Sequence, residues 1–310
     1  MKKSKIDIRL VSEENQRSII KKLLAKCKED NELNELLLQS EDYMTTFNNS
    51  YVNILGFITD REDCINCKGY NHCNKYGRKG FKIKLINNKY SNELETFYTP
   101  CEEYNKILRI FNNIIYCDVD KFAILNRTNQ SKDIIKNHKN TNVGSYTYVS
   151  KQCLSMINKY NQTACHIGYL ISSENHNAES IGFLMAYAFA RKNRTVAVID
   201  AKVTLNQCSS LNKEMKEDGD NNMAKAMKAD VMVIINLGFE YKSQAARDLV
   251  LTPLLMDRSR QGKLTFITSS LTYDEILSTY SKDTISRKLF KRTIDKIVTP
   301  LLVEDKEYFN

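Results

Sequence analysis

Residues Gly168 to Ser180 read GYLISSENHNAES, and Ile181, Leu184, Met185, Tyr187 and Ala188 then recur at helical spacing. A short apolar run (Tyr169, Leu170, Ile171) thus meets a polar loop that leads into a helix. That is the setting in which a phosphate-binding loop sits. Such a loop needs glycines, so that its backbone N–H groups can wrap the phosphates, and a lysine to neutralise them. Here Ser173 stands at the first glycine position, Ala178 at the second and Glu179 at the lysine. Only Ser180, at the Mg²⁺-binding hydroxyl, keeps its residue type. Glu179 adds negative charge where a nucleotide already carries several. The stretch predicts the fold of an ATP site without its chemistry.

From about residue 145 onward, apolar runs alternate with helical patterns. Strands are predicted at Gly168–Ser172, Thr195–Asp200, Val231–Leu237 and Leu264–Ser269. Short apolar runs separated by helices indicate a parallel sheet covered on both faces. Upstream, residues 13 to 40 read as two helices, with Ile19, Ile20, Leu23, Leu24 and Cys27 on the first and Leu33, Leu36, Leu37 and Leu38 on the second. Asp30 and Asn31 mark the turn between them. Residues 41 to 110 hold a cysteine segment and strand-like runs such as Phe81–Leu85. Helical spacing returns through Ile107, Leu108, Ile110, Phe111, Ile114 and Ile115. Asn126 to Gly144 is rich in Asn and Lys and reads as a linker. The expected domains are 1–110, helical and metal-binding; 111–144, a helical and polar linker; and 145–310, the α/β domain.

Nine cysteines without a secretory signal argue against a disulfide framework. Cys27, Cys117, Cys153, Cys165 and Cys208 are scattered and read as small buried hydrophobes. The other four cluster. Cys64-Ile-Asn-Cys67 is followed by His72-Cys73, and Cys101 lies beyond a strand-rich insert. A CxxC turn presents two thiolates to one ion, and tetrahedral Zn²⁺ needs two further Cys or His ligands. Cys73 and Cys101 can supply them, with His72 as the reserve for Cys73. The expectation is a structural zinc, since four thiolates leave no open position for catalysis.

The net charge is +9 with a pI near 8.9, which weakly favours an acidic partner such as DNA or RNA. No apolar run approaches the roughly 18 residues of a membrane span. The basic start is not followed by an apolar segment, so no secretory signal and a cytoplasmic setting are expected.

Taken together, these stretches resemble the primosomal helicase loaders of the DnaI and DnaC type. The resemblance runs over nearly the whole chain: Cys64-x-x-Cys67-Lys-Gly with Cys73 and Cys101, Gly168–Ser180 in phosphate-loop register, and Val231–Glu240 (VMVIINLGFE) in Walker B register. The most specific stretch is Arg247–Ser270, RDLVLTPLLMDRSRQGKLTFITSS, and the tail from Lys288 to Phe309 follows the family's closing pattern with Thr299-Pro300. The resemblance implies an AAA+ ATPase domain of αβα build after a small helical and zinc-binding domain that docks on a hexameric replicative helicase. Single-stranded DNA and other loader or primosome proteins are further partners it admits.

Carried over by position, the ATP chemistry is mostly missing. The two Walker B acids that would hold Mg²⁺ and activate water fall at Ile235 and Asn236. Asp230 precedes the strand and is no substitute. Glu240 matches a family acid beyond the strand, and the sensor asparagine falls at Ser270. Arg258 matches the arginine offered to a neighbouring subunit's nucleotide, and Arg292, one residue out of register, the second sensor arginine. Both also read as surface or ion-pair residues. The expectation is a replication protein without catalytic residues, binding neither ATP nor Mg²⁺. The competing readings are an active ATPase with an atypical loop and a regulatory protein that binds the helicase or another loader without loading. Tyr146, Tyr148 and Lys151 are candidates for a single-strand groove by composition, although packing is the preferred role.

Overall fold

The computed structural model describes residues 13–88, 90–137, 145–159, 167–240, 246–280 and 283–303. The chain divides into two compact units, Met1–Leu108 and Arg109–Asn310.

In the first unit, α1 (Glu13–Glu29), α2 (Asn31–Leu38) and α3 (Tyr43–Cys64) precede a hairpin of β1 (Phe81–Asn88) and β2 (Glu93–Pro100). Both later helices start at an aspartate cap, which satisfies backbone donors that the helix itself leaves orphaned. Asp30 accepts from Leu33 N, and Asp42 from Met44 N and Thr45 N. α3 buries Phe47, Ser50, Ile54, Phe57 and Asp60, a stripe at helical spacing. That stripe meets Leu23, Cys27, Leu33 and Leu37 from α1 and α2, and Ile83, Leu85 and Leu94 from the hairpin. Each such apolar side chain contributes about 1.5–3 kcal/mol on burial. The polar members of the stripe take up hairpin backbone groups left over by the ladder. Ser50 Oγ accepts from Leu94 N at 2.6 Å, Asp60 accepts from Ile83 N at 3.0 Å, and Asn53 donates to Leu94 O at 2.8 Å. α3 was not anticipated, because Thr45, Thr46, Asn48, Asn49 and Asn53 blur the apolar period over its first half.

The chain continues through α4 (Glu102–Asn113), β3 (Ile114–Cys117), α5 (Lys121–Asn137), α6 (Ser145–Lys159), β4 (Gly168–Ser172), α7 (Asn177–Arg191) and β5 (Val196–Asp200). A π-helical turn, Ala201–Leu205, runs into the short α8 (Asn206–Cys208), and α9 (Lys213–Ala226) and β6 (Val231–Ile235) follow. A second π-helical turn, Ala246–Leu251, leads into α10 (Thr252–Arg260), then β7 (Leu264–Ser269), α11 (Tyr273–Tyr280), α12 (Thr284–Asp295) and β8 (Val298–Leu302).

The six strands of the second unit are ordered β3-β5-β6-β7-β4-β8, and every neighbouring pair is parallel. β6 and β7 are buried at every position, as central strands covered on both faces must be. α7 lies close against them. A Cβ added at Gly182 would stand 2.8 Å from Thr268 Cγ2.

Two expectations for this region are corrected. The first unit ends at 108, two residues from the expected 110, but the stretch from Asn126 is not a linker and residues 109–137 belong to the second unit. α5 packs on α7 through Ile124, Leu125, Thr128 and Ser131, and Thr128 Oγ1 donates to Phe183 O. Half of that buried stripe is hydroxylic, so the segment looks polar in sequence. Residues 138–144 lie outside the described residues. Likewise Ile114 and Ile115 do not continue α4. They open β3, which adds an edge strand beside β5. β8 forms the opposite edge, the position in a sheet that tolerates Pro300.

Candidate functional site

In this strand order β4 lies between β7 and β8, and the chain leaves β4 for β5, three places away across β7 and β6. A ligand crevice opens at such a switch point, beyond the carboxyl ends of the strands. The residues found there are the loop 173–176 after β4, Asp200 closing β5, Asn236 after β6, and Ser269 and Ser270 at the end of β7.

The loop is bonded to its own surroundings. Ser173 N donates to Ser269 O at 3.1 Å, and Ser173 Oγ accepts from Asn175 N at 3.3 Å. Ser173, Ala178 and Ser180 are all buried. Ser180 Oγ donates to His176 O at 3.0 Å, back along α7. Glu179 sits in the first turn of α7, where a carboxylate complements the helix dipole. Its Oε2 lies 3.7 Å from His176 Nδ1. Glu179, expected at the lysine position, thus stabilises the start of its own helix.

At the neighbouring strand ends, Ile235 is fully buried, and Asn236 takes a left-handed backbone (φ 58°) and donates to Asp200 Oδ2 at 3.3 Å. Glu240 is buried and accepts from Gly238 N at 2.8 Å. Asp230 lies at the other end of β6 and accepts from Thr195 N and Thr195 Oγ1. Ser270 is half-buried, and the adjacent Ser269 donates to Leu237 O. Asp118, just past β3, was not anticipated. It accepts from Asp200 N at 2.8 Å, Thr204 Oγ1 at 2.6 Å and Tyr116 OH at 2.5 Å. Burial, with the Asp118 carboxylate next in weight, pushes the Tyr116 hydroxyl up to about 12. The signal was hidden because β3 itself was unread.

Arg258 is fully buried. It donates to Thr265 Oγ1 (2.9 Å), Ala229 O (3.0 Å), Asp230 O (3.2 Å) and Leu264 O (2.6 Å). These acceptors lie at the amino ends of β6 and β7, away from the crevice, so Arg258 clasps α10 to the sheet. As placed, its guanidinium is inside the fold and not on a surface facing a neighbour's nucleotide. Arg292 is exposed in the last turn of α12, where the chain approaches the amino end of β8.

In the first unit, Cys64, Cys67, Cys73 and Cys101 all line one cavity of about 220 Å³, with Tyr70, Lys75, Phe81 and Glu103 among its other walls. His72 is exposed and is not part of that lining. Among the described residues, no three His, Cys, Asp or Glu side chains are drawn together closely enough to share an ion. The knuckle is held from below by a buried pair, Lys75 Nζ and Asp60 Oδ1 at 2.7 Å. Lys75 also donates to Phe81 O at 3.0 Å. Burial lowers the Lys75 pKa, but hydrogen bonds and charge from Asp60 and Cys64 outweigh it and hold the ammonium above the usual lysine range. Tyr70 stacks on Tyr104 with centroids 5.2 Å apart. The donor set and the cavity suit a zinc ion, which the sulfurs would have to close upon.

The remaining candidates separate. Tyr146 is buried and donates to Ser131 Oγ, whereas Tyr148 and Lys151 are exposed. Cys27, Cys153 and Cys208 are buried, Cys117 is half-buried, and Cys165 lies outside the described residues. No helix among the described residues is long and apolar enough to cross a membrane.

No family model matches this sequence, and no curated protein matches it. Among solved structures, the chain is similar to one described as the crystal structure of the DnaI, at 15% identity and a TM-score of 0.51, over 65% of this chain and 100% of that one. A structural-genomics target from Streptococcus pyogenes serotype M3, described as a candidate primosome component, superposes at a TM-score of 0.48 with 14% identity, over 64% of this chain and 97% of that one. At 15% identity the likeness to the DnaI structure is one of fold, and the fold of the second unit is a six-stranded parallel sheet with helices.

Proposed function

We propose that this chain is a primosomal protein of the helicase-loader kind, with its first unit as the helicase dock and its second as an ATPase fold without turnover. The observation that carries the inactive site is the residue set at the crevice. Glu179 stands at the lysine position, and Ile235 and Asn236 stand where metal-binding acids are needed. A triphosphate entering there meets a like charge at the lysine position and no acid at the two metal-binding positions. Two unit charges at about 4 Å interact by about 4 kcal/mol at an effective dielectric near 20. Micromolar affinity is worth about 8 kcal/mol, so binding falls to millimolar or weaker.

The DnaI-like fold supports the loader reading, and the cysteine cavity supports a structural zinc held by Cys64, Cys67, Cys73 and Cys101. That ion would supply folding energy to a small unit, not chemistry. The test pairs two measurements on the full chain. Calorimetry with Mg-ATP is expected to give no micromolar isotherm, and the chain is expected to co-purify with a hexameric replicative helicase from the same cell. Helicase binding without delivery of the helicase to single-stranded DNA would move the reading from loader to regulator.

A further inference from the structure

A cavity of about 470 Å³ opens among α5, α6 and α7 of the second unit. Its apolar walls are Leu154 and Ile157 from α6 and Leu184 and Tyr187 from α7, one turn apart on each helix. Its charged lining is Lys132 from α5, with Arg191 and Lys192 at the end of α7. Among the described residues no acid lines the cavity, and no carboxylate lies within ion-pair distance of these three cations. Lys132 Nζ stands 4.8 Å from the Tyr187 ring centroid. The Lys132 side chain reaches solvent, yet partial burial of its ammonium, then the like charge of Arg191, lower its pKa by more than the neighbouring Asp133 raises it. The same guanidinium opposes the burial that raises the Tyr187 hydroxyl, so it too lies near that ring. Two cations from different helices thus repel each other beside an aromatic wall, and no ion pair relieves them. A cation in a last turn complements the helix dipole, which accounts for Arg191. Lys132 precedes the last turn of α5 and has no such role.

We propose that this cavity binds a small phosphate monoester with an apolar or aromatic body, the body against Leu154, Ile157 and Tyr187 and the phosphate held by Lys132 and Arg191. The volume is that of a small-molecule site, which spans about 300–1,000 Å³. A monoester carries about −1.5 to −2 charges at neutral pH, so it matches a group of cations better than one carboxylate does. A guanidinium can hold two of its oxygens at once, and the ammonium adds a point charge. The walls give an apolar body a place that inorganic phosphate leaves unused. α7 starts beside the crevice loop and Arg191 ends it, about 21 Å further along at 1.5 Å per residue. A ligand here therefore requires neither an ATP site nor a helicase partner.

The experiment is calorimetry of the full chain with 2-naphthyl phosphate. The comparisons are 2-naphthol, which has the body alone, inorganic phosphate, which has the charge alone, and phosphatidylglycerol vesicles. The ester is expected to bind about ten-fold or more tighter than either part. Lys132→Gln and Arg191→Gln are each expected to weaken it about ten- to hundred-fold, and Lys132→Arg to keep most of the affinity. Ala188 also lines the cavity, so Ala188→Leu is expected to weaken binding by filling space without removing charge. Glu179→Ala, at the crevice, is expected to leave it unchanged. Thermal melts check that each variant is folded. The proposal is overturned if the ester binds no tighter than its parts, or if both Gln variants stay within about two-fold of wild type. It is also overturned if Glu179→Ala changes the affinity as much as they do, or if the chain binds the vesicles and not the soluble ester.

Discussion

Arg258 offers a sharp test of how the second unit is held together. Arg258→Ala removes a guanidinium that serves four acceptors on two segments and is fully excluded from solvent. Hydrogen bonds to a charged donor are worth about 1.5–3 kcal/mol each, but folding exchanges them for water, so they do not add. The decisive terms are the acceptors left behind. An unsatisfied buried acceptor costs about 1–3 kcal/mol. Asp230 O retains a second bond from Leu264 N, which limits the damage there. Leu264 O lies in the parallel β6–β7 ladder, where Leu264 pairs with Val231, so the loss falls chiefly on Ala229 O. The orphaned Ala229 carbonyl together with the cavity gives a loss of about 3–5 kcal/mol. In a unit of this size each kcal/mol shifts the melting temperature by about 2–4 °C, so a fall of about 6–20 °C is expected. Arg258→Lys recovers only part of it, because one ammonium cannot span the fork. Thermal melts followed by circular dichroism read the effect. Were Arg258 instead an arginine offered to a neighbouring subunit, the alanine variant would melt within about 2 °C of wild type, since exposed substitutions change stability little. That result would refute the clasp.

Other outcomes follow from the same structure. Calorimetry is expected to show no micromolar Mg-ATP binding; turnover that disappears in Glu179→Ala would restore the enzyme reading. Metal analysis is expected to find about one zinc per chain, and Cys67→Ser to unfold the first unit, with well under one equivalent counting against the cysteine set. Asp42 caps α3, and the hydrogen bonds from the Thr45 hydroxyl, then from the Thr45 and Met44 backbone, hold its pKa below the usual carboxylate value. A lowered folded pKa means the cap's contribution is present above the unfolded value, about 3.9, and fades as pH falls through the folded one. Urea midpoints of the wild type should therefore fall toward acid more steeply than those of Asp42→Asn, and parallel curves would refute the cap's share. Gly182→Val is expected to destabilise the second unit, because its Cβ would meet Thr268 Cγ2 and Val233 Cγ1 at 2.8 and 3.2 Å.

The parallel sheet was legible where burial erases ambiguity. Gly168–Ser172 and Leu264–Ser269 were read at their observed bounds, and the Val196 and Val231 strands to within a residue or two, because a doubly covered strand must be apolar throughout. β3 and α5 were not legible, for opposite reasons. The four residues of β3 abut an apolar helix, so its isoleucines prolonged the helical period. α5 buries hydroxyls that find partners only in three dimensions, such as Ser131 under Tyr146 OH. Arg258 illustrates the same limit at the site. A motif position fixes a residue's place in the chain, whereas its role depends on the carbonyls around it, and those come from segments that sequence keeps apart.

The crevice and the cysteine cavity differ in what their residues still lack. Around the crevice, the hydroxyl of Ser180 is bound to His176 O, the amide of Asn236 to Asp200, and the carboxylate of Glu240 to Gly238 N. Glu179 complements the dipole of its own helix. Residues so engaged must break an internal bond before they can meet a ligand, and the charge they present is the wrong sign for phosphate. Cys64, Cys67, Cys73 and Cys101 instead line one cavity, in which Cys101 Sγ accepts from Tyr104 N at 3.4 Å and Cys64 from Lys75. Under the proposed function, the resident ligand is the structural zinc of the first unit. The second unit keeps its six-stranded architecture because β6 and β7 are held by burial and by the Arg258 clasp at the far end of the sheet, neither of which depends on a nucleotide.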